Sequence, residues 1–200
     1  MASSLWKLTL ERFAEEVAAG PVPAGVAVSA IAARVALELF AMSLQVTAKR
    51  RDSAGKREKI SELLEAAKIE ASNMKKYADD DVAAYKRYLK HRKSARAQAA
   101  LRVAIEVPVK VAESALRGLE LCAEASNLVS ASVAPDLASA AAILGAAARA
   151  SVRSAEANAA NSSERELLKR LTTERRGLEA DASSLIDKIF ETAAARLTRP

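Results

Sequence analysis

Two carboxylates in this chain stand where proton-transfer chemistry could use them. Asp81 closes the run Asp79-Asp80-Asp81, and like-charge repulsion from its neighbours would raise its pKa toward the range a general acid or base needs. The same run also reads as a solvated acidic kink, because aspartate is a poor residue inside a helix. Asp136 follows Pro135 at a helix start, where a carboxylate either handles protons or simply offsets the helix dipole. Arg149 stands in the otherwise Ala/Val-rich stretch AAAILGAAARASV, so it either faces a pocket or pairs with Glu156 or another acid. Just beyond it, Ser151, Ser154 and Asn158 could donate or accept hydrogen bonds to a ligand, or lie on the surface. One cysteine, Cys122, and one histidine, His91, make a zinc site improbable and exclude an intrachain disulfide.

A backbone device accompanies these groups. In GPVPAGVAVSAIAA (Gly20–Ala33), Pro21 and Pro23 hold the chain extended and forbid a helix through them. Gly25 then permits close approach of a ligand to backbone, and the free amides of the following helix favour an anion. The plain alternative is a Pro-bounded core helix without ligand. The densest basic region comprises Lys75, Lys76, Lys86, Arg87, Lys90, His91, Arg92, Lys93 and Arg96, with Tyr85 and Tyr88 interleaved. Without a recognised nucleic-acid module beside it, this region reads as a solvated helix end, and nucleic acid is not the expected partner.

The elements that position these residues are helices. The 200 residues are 50% hydrophobic but only 4% aromatic, with six glycines and five prolines, the profile of closely packed all-α chains. Thr9 caps a short helix to about Ala19 with Leu10, Phe13 and Val17 on one face. The second helix runs over about 25–49. The third covers about 56–93, with Ile60, Leu63, Leu64, Ala67, Ile69 and Met74 on its apolar side and a kink or restart at the aspartates. The fourth covers about 95–128, with Pro108 a kink or a start. The fifth covers about 135–160, and the last, over 164–196, opens with a capping box from Ser163 and Glu166. A single domain over residues 1–200, a bundle of five to six long helices, is expected. Residues 26–48 are apolar enough to raise the question of a membrane span, but Arg34 and Glu38 at i,i+4 suit a buried helix better. No signal peptide is read at the N-terminus, the net charge of +6 is modest, and a cytoplasmic soluble protein is expected. Alanines on several faces of 138–150 suggest apolar surface that a homodimer would cover.

Taken in order, these features resemble the cyclodeaminase/methenyltetrahydrofolate cyclohydrolase family. LWKLTLERF (Leu5–Phe13), PVPAGVAVSAIA, Lys49-Arg50, Asp81-Val-Ala-Ala-Tyr85, Glu106-Val107-Pro108, Pro135-Asp136 and LEADASSLIDKIFE fall on corresponding family segments over nearly the whole chain. The resemblance implies a dimeric helical bundle that binds reduced folate and acts on a methenyl or formimino group. It implies no metal and no cofactor beyond the tetrahydrofolate substrate. Asp136 and Asp81 are then the candidate catalytic residues, and Gly25, Lys49, Arg50, Arg149, Ser154 and Asn158 the candidate folate-binding ones, with the basic segment drawing the glutamate tail. The departures are specific: Ala24 and Val26 replace glycines of the family loop and would intrude on ligand there, and several Ser and Asn positions are changed. The alternative is therefore a non-catalytic homologue, a dimeric interaction or regulatory module.

Overall fold

The computed structural model describes residues 4–163 and 165–197. Among them there are six α-helices and no strand: α1 (Leu10–Ala19), α2 (Gly25–Ala48), α3 (Arg57–His91), α4 (Ala97–Ala125), α5 (Ala134–Ala159) and α6 (Arg165–Leu197). The helix starts follow local chemistry. Thr9 Oγ1 accepts the Arg12 amide at 3.1 Å and opens α1, and Pro21 and Pro23 separate α1 from α2. Pro135 sits in the first turn of α5, where its missing N–H leaves no bond unmade. For the last helix, the expected capping box spans Glu164, which lies outside the described residues; Glu166 pairs with Lys169 at 2.9 Å.

Neither of the two expected helix restarts occurs. The helix α3 runs unbroken through Asp79-Asp80-Asp81 because each carboxylate finds a partner away from the local backbone. Asp79 accepts from Ser4 Oγ at 2.6 Å and from the Leu5 amide at 2.8 Å, Asp80 pairs with Lys76, and Asp81 is buried facing the Ala27 amide of α2. None then competes for its own helix's amides, the usual cause of disruption. Likewise α4 continues through Pro108. Proline there deprives the Ala104 carbonyl of its helical donor, and Asn158 Nδ2 on α5 supplies a replacement at 2.8 Å.

The helices α2, α3, α4 and α5 form an antiparallel ring, each packed on the next and α5 closing on α2, while α6 lies outside against α5 and α4. Small residues make the ring tight. A Cβ on Gly118 would come within 3.0 Å of Leu37 and 3.1 Å of Leu144, so glycine is what lets α2 and α5 close over α4. Leu37, Phe40, Leu44, Met74, Leu119 and Leu144 fill the interior without exposure. By length and composition, α2 and α5 could each cross a membrane, with mean hydropathies of 1.7 and 1.4; in this fold both are ring members with much of their surface buried. Of the α5 alanines, Ala140, Ala141 and Ala148 are fully buried among α2, α4 and α6, while Ala146 and Ala150 are exposed and Ile143 is 37% exposed. On α1, only Phe13 packs against the core, and Leu10 is 84% exposed.

Candidate functional site

The antiparallel ring sorts the candidate residues to two ends. At the first, the N-terminus of α2 meets the C-terminal half of α3, the start of α4 and the end of α5. Gly25, Asp81 and Asn158 lie there. At the second, the C-terminus of α2 meets the start of α5, tied by the Ser130 amide donating to Thr47 Oγ1 at 2.9 Å. Lys49, Arg50 and Asp136 lie there. Twenty helical residues separate Ala27 from Thr47, which at 1.5 Å per residue puts the two ends about 30 Å apart. Within one chain, Asp81 and Asp136 therefore cannot act on the same carbon. The sequence could not show this, because it gives no direction to the helices.

Asp81 has the most perturbed carboxyl. It is buried, and desolvation pushes its pKa up to about 6 against the lowering effect of the Ala27 amide. The cause differs from the one its sequence neighbours suggest, since burial rather than Asp79 and Asp80 raises it. Ala24 offers α2 no side-chain cap, and Asp81 lies beside the Ala27 amide of that first turn, which favours its ionised form. A cavity of about 510 Å³ adjoins this point, lined by Glu16, Val22, Pro23, Asp79, Asp80, Val82 and Lys86 among others. Asp81 is not on its wall. Gly25 is exposed, with open space where a Cβ would project, so the loop leaves the first turn of α2 accessible. Val26, expected to obstruct ligand, instead points into the core at 6% exposure.

The other end holds a smaller cavity of about 280 Å³, lined by Arg50, Lys56, Ser130, Ser132 and Arg196 among others. Arg196 donates to the Val129 and Asn127 carbonyls and so fastens the end of α6 there. Asp136 is half-buried in the first turn of α5 and Lys49 is exposed at the end of α2; neither lines this cavity.

Three candidates are engaged in the scaffold. Asn158 holds the carbonyl that Pro108 frees, Arg149 donates to Ser183 on α6 at 2.8 Å, and Ser154 donates to the Ala150 carbonyl at 3.0 Å. Glu156 pairs with Arg175, at 2.6 Å, rather than with Arg149. Ser151 is fully buried and its hydroxyl has no hydrogen-bond partner. Burial pushes the Cys122 thiol up, away from reactivity. Among the described residues, no group of three or more His, Cys, Asp or Glu side chains is arranged to hold a metal ion.

A second buried carboxylate escaped the sequence reading. Glu70 on α3 is 8% exposed and receives Arg117 Nε at 2.8 Å, Asn73 Nδ2 at 3.2 Å and the Ser114 hydroxyl. Burial alone would raise its pKa, but the bonds from Arg117, Ser114 and Asn73 outweigh that and hold it below the usual range. The signal was present: Glu70 falls between Ala67 and Met74 on the buried stripe, whereas Ile69, expected in the core, is 56% exposed.

Comparison with known proteins bears on the same architecture. No curated protein sequence matches the chain significantly. The crystal structure of formiminotetrahydrofolate cyclodeaminase from Thermotoga maritima superposes with a TM-score of 0.90, at 21% identity, over 96% of this chain and 98% of that one. At that identity the likeness is one of fold. The sequence profile of formiminotransferase-cyclodeaminase matches residues 9–177, from the cap of α1 into α6. The chain belongs to the formiminotransferase-cyclodeaminase family.

Proposed function

We propose that the chain processes a reduced folate at the Gly25 end of the bundle, by adding water to a methenyl bridge or by expelling ammonia from a formimino group, with Asp81 as the proton-handling residue. The observation that carries this reading is a buried carboxyl with a pKa near 6 beside a cavity of ligand size, in a chain of this family. In hydrolysis, water adds to the bridge carbon and gives a proton to a base. The C–N5 bond then breaks and a proton returns to N5. In cyclodeamination, N10 attacks the formimino carbon, loses its proton and releases ammonia, whose nitrogen must be protonated as it leaves. A carboxyl near 6 serves both directions at neutral pH. The cavity's charges suit the substrate as well: Glu16, Asp79 and Asp80 face a bridge that carries positive charge, and Lys86 faces an anionic tail. No metal or further cofactor enters this scheme.

One observation favours the alternative of a non-catalytic homologue. Asp81 is buried beside the first turn of α2 and does not line the cavity, so its burial has a structural use. Loss of the methenyl chromophore, measured against the buffer rate, and ammonia release from formiminotetrahydrofolate separate the two. A wild-type protein that accelerates neither reaction rejects the enzymatic reading.

A homodimer belongs to the same proposal, on a different basis from the alanines of α5. The outer face of α2 carries Val28, Ile31, Val35, Leu39, Met42 and Val46 at helical spacing, with Val35 59% and Val46 37% exposed. A second copy seated there would cover the stripe, burying at least about 1,000 Å² in total if the association is specific.

A further inference from the structure

We propose that the hairpin tip joining α3 to α4 binds the phosphate backbone of single-stranded nucleic acid, without sequence preference, through Arg87, Lys90, Arg92, Lys93 and Arg96. From Val82 to Ile105 the chain has seven Lys and Arg and no Asp or Glu, while the rest carries 24 Lys and Arg against 25 Asp and Glu. This one segment thus carries +7, against a net −1 over the rest of the chain. Several acids of the flanking helices are committed to other partners: Glu124 takes Lys59 at 3.0 Å, Glu70 takes Arg117 at 2.8 Å and Glu179 takes Arg153 at 2.7 Å. Among the described residues, none of the five tip cations forms an ion pair, and all five are exposed.

The tip is shaped for phosphate. A recess of about 360 Å³ lies between Arg87, His91 and Arg96, floored by Ala99 and Ala100. Two guanidinium forks there suit bidentate contact with phosphate oxygens. Tyr85 and Tyr88, half-buried with ring centroids 6.1 Å apart, border the patch and offer aromatic surface to an unpaired base. An anionic membrane is the poorer fit. Among the described residues, the exposed large aliphatic and phenylalanine side chains are Leu10, Val35, Val46, Ile69, Ile143 and Phe190, and none of these lies on the hairpin to anchor it in a bilayer. Nucleic acid needs no such anchor, because released counterions supply the affinity.

Fluorescence anisotropy of the full chain with a fluorescein-labelled, mixed-sequence 20-nucleotide RNA tests this between 50 and 200 mM NaCl, roughly the span over which such contacts lose affinity. Five phosphate contacts give a slope of log affinity on log salt of about −3.5. The triple variant R87Q/R92Q/R96Q should bind at least about tenfold more weakly, with a slope shallower by about 2. The variant R51Q/R57Q/K188Q, which removes three exposed charges from the rest of the surface, should change affinity less than about twofold. Circular dichroism checks that both variants keep their helices. The proposal is overturned if wild type fails to bind RNA at the lowest salt or shows a flat salt dependence. It is also overturned if the two triple variants lose affinity equally, or if vesicles containing phosphatidylserine bind more tightly than RNA.

Discussion

Replacing Asp81 by asparagine should make the protein more stable at neutral pH and less active. The carboxyl is nearly isosteric with the amide, and the asparagine oxygen can still accept from the Ala27 amide. What the substitution removes is the cost of ionising a buried group. With a folded pKa of about 6, against about 3.9 in the unfolded chain, Asp81 is a carboxyl whose pKa folding raises. Below about pH 4 both states hold the proton and it contributes nothing. Between about pH 4 and 6 the unfolded state releases the proton first, so stability falls as pH rises, and above about 6 the loss is complete. A difference of about 2 pKa units corresponds to about 3 kcal/mol.

Imperfect pairing of the new amide donor would recover part of this, leaving Asp81→Asn about 1–3 kcal/mol more stable than wild type at pH 7.5. Urea unfolding across pH 4 to 7.5, roughly the window set by the two pKa values, measures it directly. The advantage of the variant should shrink toward zero, or reverse, at the acid end. If Asp81→Asn is destabilised equally at both ends of the range, the buried ionised carboxylate is not what this reasoning takes it to be. In the same preparations, methenyltetrahydrofolate turnover should drop about 10²–10⁴-fold if Asp81 transfers the proton. A more stable variant with wild-type turnover would assign Asp81 to the packing beside the first turn of α2 and remove it from the chemistry.

Glu70 should behave oppositely in pH. Its pKa is held below that of the unfolded chain, so its contribution is present above about pH 4.3 and lost as pH falls through the folded value. Glu70→Gln should therefore cost about 1–2 kcal/mol at pH 7, with the gap to wild type narrowing in acid urea melts. Asn158→Ala should cost about 1–2 kcal/mol in wild type but under about 0.5 in a Pro108→Ala background, where the restored N–H of residue 108 can serve the Ala104 carbonyl; additive effects in that double-mutant cycle would refute the assignment. Val35→Lys, at an exposed position, should leave the melting temperature within a few degrees of wild type yet change the mass seen by light scattering from twice 21.2 kDa to 21.2 kDa. A wild type already at 21.2 kDa at micromolar concentration would reject the dimer.

The helices were legible because their signals are local. Thr9 as a cap, Pro21 and Pro23 as a break, and Pro135 at a helix start all act within a turn of themselves. What could not be read was what each side chain meets across the bundle. Three adjacent aspartates look like a helix break until Asp79 is seen to accept from the N-terminal segment, Asp80 to pair with Lys76 one turn back, and Asp81 to be buried against α2. Pro108 signals a carbonyl in need of a donor, but nothing in the linear order names Asn158, fifty-four residues away, as that donor. The family's loop glycines suggested that Val26 would block a ligand, whereas helical phase turns it inward to the core.

The two-ended arrangement constrains any mechanism this chain can have. A site drawing on Asp81 and a site drawing on Asp136 are alternatives within one chain, because about 30 Å of helix lies between them. The Gly25 end combines a carboxyl of raised pKa with a cavity of about 510 Å³ and mixed charge, the setting proton transfer on a charged substrate requires. The Lys49 end offers basic groups and hydroxyls around a cavity of about 280 Å³, the setting for holding an anion rather than moving a proton. If turnover survives loss of Asp136 and not of Asp81, the chemistry belongs to the first end. If it needs both, the second carboxylate has to come from another copy of the chain.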